Sequence, residues 1–173
     1  MKRIFALLVS LTAVLALSGC NLPFMSSGGE GDLEAKSVKL VNEVVRGDYK
    51  VVTTAELKKW MDEGKDMLIV DTMPYEASYK KNHIPGAQQF LFPIPDMNEW
   101  DMKETGDKSQ ADFEAMLGAD KDRLLVFYCG FVKCTRSHNG AVWARKLGYT
   151  NVYRHPGGIR AWIEAEYPVG TVK

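Results

Sequence analysis

Polar and apolar positions divide the chain into a leader, a short spacer and one long patterned stretch. Ile4 to Leu17 is a nearly unbroken apolar run behind Lys2 and Arg3. It falls short of the roughly 20 residues that span a bilayer and has the form of a signal h-region. Residues 21–32 (NLPFMSSGGEGD) lose the pattern, are rich in Gly and Ser, and read as a flexible tether. From Leu33 the pattern returns. Val41, Val44 and Val45 stand at i, i+3 and i+4 and predict an amphipathic helix over 34–46 that carries them on its apolar face and stops at Gly47. Lys50 to Val52 reads as a short strand. Thr53 with Glu56 forms a capping box that opens a helix with Leu57, Trp60 and Met61 inward, closed by Gly64. Met67 to Val70 is a continuous apolar run, as in a strand covered on both faces. Next come a helix bearing Phe113, Met116 and Leu117, a strand over Leu124–Tyr128 and a helix over Ser137–Leu147. A strand over Asn151–Tyr153 and a helix bearing Ile159, Trp162 and Ile163 complete the pattern. Alternating strands and helices predict one three-layer α/β domain over 33–173, with a mainly parallel central sheet flanked by helices. In such sheets ligands bind at the carboxyl ends of the strands.

Length fits one domain plus extras. Lys and Arg number 22, as do Asp and Glu. Without residues 1–19, which hold Lys2 and Arg3, 20 basic residues face 22 acidic ones, about −2. No basic field is available for nucleic acid, and that class of partner is excluded. Leu17-Ser18-Gly19-Cys20 resembles the lipobox of bacterial lipoproteins. The resemblance implies a signal peptide over 1–19, cleavage before Cys20, and lipidation of that thiol at the head of the 20–32 tether. At about 0.8 kcal/mol per buried methylene, two or more acyl chains anchor stably. The domain would then sit on the extracytoplasmic side of the cell envelope, periplasm-facing or at the outer membrane, with the membrane as a partner.

The chemistry-bearing residues cluster after the Leu124–Tyr128 strand. Cys129 follows it at once, and the loop to Arg136 runs into the next helix at Ser137. A thiolate there would be cradled by loop amides and face a helix N-terminus. Lys133 and Arg136 would add two cations, together depressing the Cys129 pKa from about 8.5. Such a thiol carries a persulfide or attacks a sulfur, phosphorus or arsenic centre. The plainer alternative is a small apolar side chain ending a core strand.

Several stretches taken in order resemble the rhodanese, or thiosulfate sulfurtransferase, family. They are Leu68-Ile69-Val70-Asp71; Tyr75-Glu76 followed by His83-Ile84-Pro85-Gly86-Ala87; Phe127-Tyr128-Cys129; Arg136-Ser137 with Ala141, Ala144 and Leu147; and Gly157-Gly158-Ile159-Arg160-Ala161-Trp162. The resemblance spans about 51–168 and implies a rhodanese-like domain and a sulfurtransferase. Cys129 would take a sulfane sulfur from a donor such as thiosulfate, become a persulfide, and pass it to a thiol or cyanide. Cys129 and Arg136 are the catalytic candidates. Gly130, Phe131, Val132, Lys133, Cys134, Thr135 and Ser137 would bind the small sulfur-containing anion. No cofactor is implied, and no metal, since Cys-x4-Cys is followed only by His138.

Three departures bear on the chemistry. Six residues separate Cys129 from Arg136, against four in the usual sulfurtransferase loop and five in rhodanese-related phosphatases and arsenate reductases. Met73 replaces an Arg often found two residues after the Asp. Cys134 places a second thiol inside the loop, as a resolving thiol, a partner in a lasting disulfide, or packing. The alternative function is therefore a non-catalytic or redox-relay binding module using the Cys129/Cys134 pair, with a phosphatase or arsenate reductase as a third. Asp71 is expected to accept backbone hydrogen bonds or pair with a cation rather than act as an acid, and His83 to be structural. His138 could touch substrate, or cap or be exposed. Residues 90–100 could form a lid or docking patch, or pack on the domain.

Overall fold

The computed structural model describes residues 29–172. The expected signal segment, Cys20 and most of the tether lie outside the described residues. The chain runs α1 (Glu30–Gly47), β1 (Lys50–Val51), α2 (Thr54–Asp62), β2 (Met67–Asp71), a π-helical turn (Tyr75–Tyr79) and β3 (Gln88–Gln89). It continues through α3 (Gln110–Leu117), β4 (Leu124–Tyr128), α4 (Arg136–Lys146), β5 (Val152–His155) and α5 (Gly158–Glu164). The five strands form one all-parallel sheet in the order β1-β5-β4-β2-β3. This is the expected α/β architecture. β3 went unread because its two residues are both Gln, with no apolar signal to mark them.

Period-two alternation sorts the central strands between two cores. Leu68, Val70, Leu125 and Phe127 face a core completed by Phe113 of α3 and by Ala141, Trp143 and Ala144 of α4. Ile69, Val126 and Tyr128 face the opposite one, with Leu57 of α2 and with Ile159 and Trp162 of α5. β2 leads outward to β3 at one edge, whereas β4 leads back through β5. The order therefore reverses between β2 and β4, and a crevice opens at their carboxyl ends, where ligands bind in such sheets. Asp71 and Cys129 lie there.

The first helix departs from its sequence pattern. It starts at Glu30, so the helix takes in the last residues assigned to the tether. The left-handed terminating residue is Asp48 (φ 49°), one past Gly47. Of the three valines only Val44 packs against the core; Val41 and Val45 are 59% and 76% exposed. The inward face carries Glu43 and Gly47 instead. The reason is electrostatic: Glu43 meets a buried arginine, described below, and that pair sets the helix rotation. By contrast α2 opens on the expected reciprocal capping box between Thr53 and Glu56.

Candidate functional site

β4 delivers Cys129 to the crevice, and α5 fixes the loop that follows. Ile159 N–H donates to the Cys129 carbonyl at 2.9 Å, and Arg160 N–H to that of Gly130 at 3.1 Å. The close approach explains the paired glycines. Gly158 has φ +62°, and a Cβ there would lie 2.2 Å from the Cys129 carbonyl oxygen. Only glycine meets both requirements without strain. The loop then turns on a Cys134 N–H to Phe131 carbonyl bond of 3.0 Å and enters α4 at Arg136, one residue before the expected start.

Both thiols are free, but their surroundings are opposite. Cys129 is 0% exposed. Its sulfur donates towards the Cys134 carbonyl at 3.2 Å, lies 3.2 Å from Ser137 Oγ, and has the Phe131 carbonyl at 3.9 Å. Two carbonyl oxygens and the Ser137 hydroxyl therefore lie around it, and the Ser137 amide also donates to it. Burial raises its pKa well above the ordinary thiol value, and the neighbouring Cys134 adds to the rise. This corrects the expectation of a depressed Cys129. The depressed thiol is Cys134: the neighbouring Cys129 thiol favours its charged form, the Arg136 and Gly130 amides donate to it, and the Arg136 charge adds attraction, together outweighing partial burial. The amides at the start of α4 are shared: Ser137 donates to Cys129, and Arg136 with Gly130 of the loop to Cys134.

The expected cations are also engaged elsewhere. Lys133 pairs with Asp32 of α1 at 2.7 Å, and Arg136 donates to the Phe92 carbonyl. Phe131 is exposed beneath the Arg160 guanidinium, 5.1 Å from its ring centroid. With Val132, Lys133, Lys36 and Glu164 these two line a cleft of about 470 Å³ beside the loop. Thr135 is buried and accepts from Lys39 Nζ at 2.9 Å. Gly130, Val132, Cys134 and Ser137 complete the loop, so the predicted anion-binding residues are neighbours, though not all turned towards one point.

Sequence reasoning missed the group that holds this loop from below. Arg154 of β5 is 0% exposed. Its Nη1 pairs with Glu43 Oε2 at 2.5 Å and reaches Tyr49 Oη at 3.2 Å. Its Nε donates to Ser137 Oγ at 2.9 Å, and its Nη2 to the Cys134 carbonyl at 2.8 Å. Burial opposes ionisation of Glu43, but Arg154 and Lys39 hold its pKa below the ordinary value. The strand read over Asn151–Tyr153 stops one residue short of Arg154, whereas β5 runs Val152–His155; a charged residue inside a buried strand demands a buried counter-charge.

The remaining candidates are structural. His138 is neither exposed nor open to substrate: Nδ1 meets Tyr49 Oη at 2.9 Å, and Nε2 accepts from Arg46 at 3.2 Å. Burial pushes its pKa down to about 4. His83 stacks on Tyr79 and meets its carbonyl through Nδ1 at 2.9 Å. Asp71 Oδ1 accepts the Met73 amide at 2.8 Å, as expected. Its Oδ2 is buried without a partner in hydrogen-bonding geometry. Burial raises its pKa to about 6, offset in part by the nearby Tyr128 hydroxyl. Residues 90–100 pack rather than form a lid. Phe90, Phe92 and Met97 are buried, and Asn139 of α4 donates to the Pro93 and Pro95 carbonyls at 2.9 and 2.8 Å.

Comparison with known proteins agrees with the fold. A thiosulfate sulfurtransferase from Pseudomonas aeruginosa superposes with TM-score 0.56 at 18% identity, over 80% of this chain and 23% of that one. A polysulfide-sulfur transferase homodimer from Wolinella succinogenes gives 0.53 at 13%, over 84% and 94%. A Rhodopseudomonas palustris protein described as a possible tyrosine phosphatase gives 0.50 at 22%, over 86% and 99%. At these identities the likeness is one of fold alone. No curated protein matches the sequence. The rhodanese-like domain model matches residues 53–165, more than half of the chain, and the protein belongs to the rhodanese-like domain family.

Proposed function

We propose that this domain is a sulfurtransferase: a sulfane-sulfur donor such as thiosulfate delivers sulfur to the Cys129–Cys134 loop, and a thiol or cyanide accepts it. The observation that carries this reading is two free thiols at one strand-to-helix turn, Cys129 fully buried and Cys134 partly exposed. Two thiols in one short loop suit the making and breaking of sulfur–sulfur bonds. The persulfide that the resemblance gives Cys129 would need the loop to open, because that sulfur is fully buried. Acyl chains on Cys20 would tie the domain to the cell-envelope membrane. Thiocyanate production from thiosulfate and cyanide tests the activity. The Cys129→Ser/Cys134→Ser double variant should be inactive, and a wild-type rate no higher than that of the variant would sink the reading. Labelled fatty acid should appear on Cys20, and its absence removes the anchor.

The presence of two free thiols in one loop favours a redox relay as the second reading. In that case, mild oxidation should give one intramolecular disulfide in protein that turns over neither thiosulfate nor polysulfide.

A further inference from the structure

We propose that Arg154 is a positioning residue for the reaction at Cys129: it turns the Ser137 hydroxyl hydrogen onto the Cys129 sulfur and so favours negative charge on that atom. This rests on the sulfur-transfer reading and adds to it a group from β5.

The direction of the hydrogen bonds is the first argument. A serine hydroxyl has one hydrogen to give and lone pairs to offer. Arg154 Nε, which can only donate, takes a lone pair of Ser137 Oγ at 2.9 Å. The hydroxyl hydrogen must point elsewhere, and the Cys129 sulfur lies 3.2 Å away. The hydrogen of that sulfur is directed at the Cys134 carbonyl, also at 3.2 Å, which leaves the sulfur free to accept from Ser137. The second argument is that the same guanidinium reaches the other neighbour. Arg154 Nη2 donates to the Cys134 carbonyl at 2.8 Å and draws electron density from the oxygen that a Cys129 thiolate would face. The remaining nitrogen is held by Glu43 at 2.5 Å and Tyr49 at 3.2 Å, so the fork cannot turn away. The third argument is that the other charged groups around the turn are engaged. Arg136 of α4 donates to the Phe92 carbonyl, Lys133 of the loop and Lys39 of α1 pair with Asp32 and Glu43, and Asp71 of β2 accepts the Met73 amide. Arg154 is 0% exposed, so its charge is screened far less than a surface charge would be.

Cys129 Sγ bears the charge in both halves of the transfer. In the first, the thiol loses its proton to water and its sulfur attacks the outer sulfur of thiosulfate. The S–S bond to the sulfonate breaks, and sulfite leaves with the bonding pair. In the second, cyanide or an acceptor thiolate attacks the outer sulfur of the Cys129 persulfide. That S–S bond breaks, and its electron pair returns to Cys129 Sγ. A hydrogen bond to the charged form of a group favours that form, so the hydroxyl that Arg154 directs assists Cys129 first as nucleophile and then as leaving group.

The rate at which iodoacetamide alkylates Cys129 in the reduced full-length protein tests this. Trypsin cuts after Lys133, between the two cysteines, so each is read on its own peptide. Below the thiol pKa the rate follows the thiolate fraction, and Cys134 is present in every protein compared. Glu43→Leu/Arg154→Met, which removes both buried charges, should slow Cys129 about tenfold at pH 7, the factor that one pKa unit supplies, and should lower thiocyanate production. Ser137→Ala, which deletes a single hydroxyl, should slow it in the same direction. Adding Ser137→Ala to the paired variant should slow it little further, because residues that act through one bond are not additive. A merely structural Arg154 has the opposite signature: its loss would loosen the loop and quicken alkylation of the buried Cys129. Unchanged or quicker alkylation in either variant overturns the inference. Alkylation needs no sulfur donor, so a wild type that yields no thiocyanate sinks the sulfur-transfer reading by a separate result.

Discussion

Helices α1 and α2 both come from amphipathic sequence, yet they attach to the domain by different physics. α2 buries Leu57 completely and packs Trp60 and Met61 beside it, so its inward face is the one that apolar periodicity marks. α1 buries Glu43 and Gly47 and leaves Val41 and Val45 in solvent. Its anchor is an ion pair with Arg154, extended through Tyr49, Ser137 and the Cys134 carbonyl. Hydrophobic attachment is non-directional and tolerates small shifts. A buried ion pair is directional, so α1 fixes the loop that holds the two cysteines more strictly than an apolar helix would. α1 also lies outside the 53–165 stretch matched by the family model.

The largest expected effect separates the two attachments. Glu43→Ala leaves Arg154 charged and buried without its partner, which costs about 3–5 kcal/mol. The Glu43→Leu/Arg154→Met double variant removes both charges and should recover most of that loss, since well-packed apolar replacements of buried pairs are often neutral. Leu57→Ala on α2 should cost about 2–5 kcal/mol through its cavity, with no polar rescue available. Urea unfolding of the four proteins measures this. A Glu43→Ala protein within about 1 kcal/mol of wild type would mean that the pair does not anchor α1.

A smaller effect comes from one titrating group on each side of the sheet. Asp71, beside Tyr128, has its folded pKa raised to about 6 from 3.8. The folded state therefore takes up its proton first, and the cost of the buried carboxylate is relieved as pH falls from 6 to 4. His138, on the α1 side, has its pKa lowered to about 4 from 6.5. There the unfolded chain takes up the proton first, and stability is lost as pH falls from 6.5 to 4. The two trends oppose each other over nearly the same window. Asp71→Asn removes the first, so its stability should fall more steeply with acid. Relative to this variant the wild type should gain up to about 3 kcal/mol between pH 7 and 4, the linkage value of a pKa raised from 3.8 to about 6. Parallel pH profiles for the two proteins would contradict a buried, ionised Asp71.

What the sequence reveals follows the same division. The apolar runs Met67–Val70 and Leu124–Tyr128 locate the central strands, because a strand covered on both faces must be continuously apolar. The Thr53/Glu56 capping box marks the start of α2 because its chemistry is local. The site is legible as a place, through Cys129, Arg136 and Gly157-Gly158, but not in its electrostatics. Whether amides or carbonyls of a loop face a given sulfur depends on the peptide-plane orientations of Gly130 to Thr135, which side-chain identity does not encode. Glu43 and Arg154 stand 111 positions apart, so only the folded chain shows them to be partners.

The smallest predicted effect is the sharpest test of how α1 sits. If valine periodicity governed its rotation, Val45→Lys would drive an ammonium group into the core, with a cost of several kcal/mol. In the observed rotation Val45 is 76% exposed, so the substitution removes almost no buried apolar area. Two local terms even favour it. Lysine is the better helix former, and a cation in the last turn of α1 complements the carbonyl end of the helix dipole. Stability should therefore change by no more than about 0.5 kcal/mol, as for ordinary surface sites, with any shift upward. Val44→Lys, one residue earlier and packed on the core, should be clearly destabilising. Comparing the two midpoints in one urea series reads the rotation directly. Equal losses at both positions would place the valine stripe inward and undo the polar anchoring of α1, whereas a loss at Val44 alone fixes Glu43 as the inward residue.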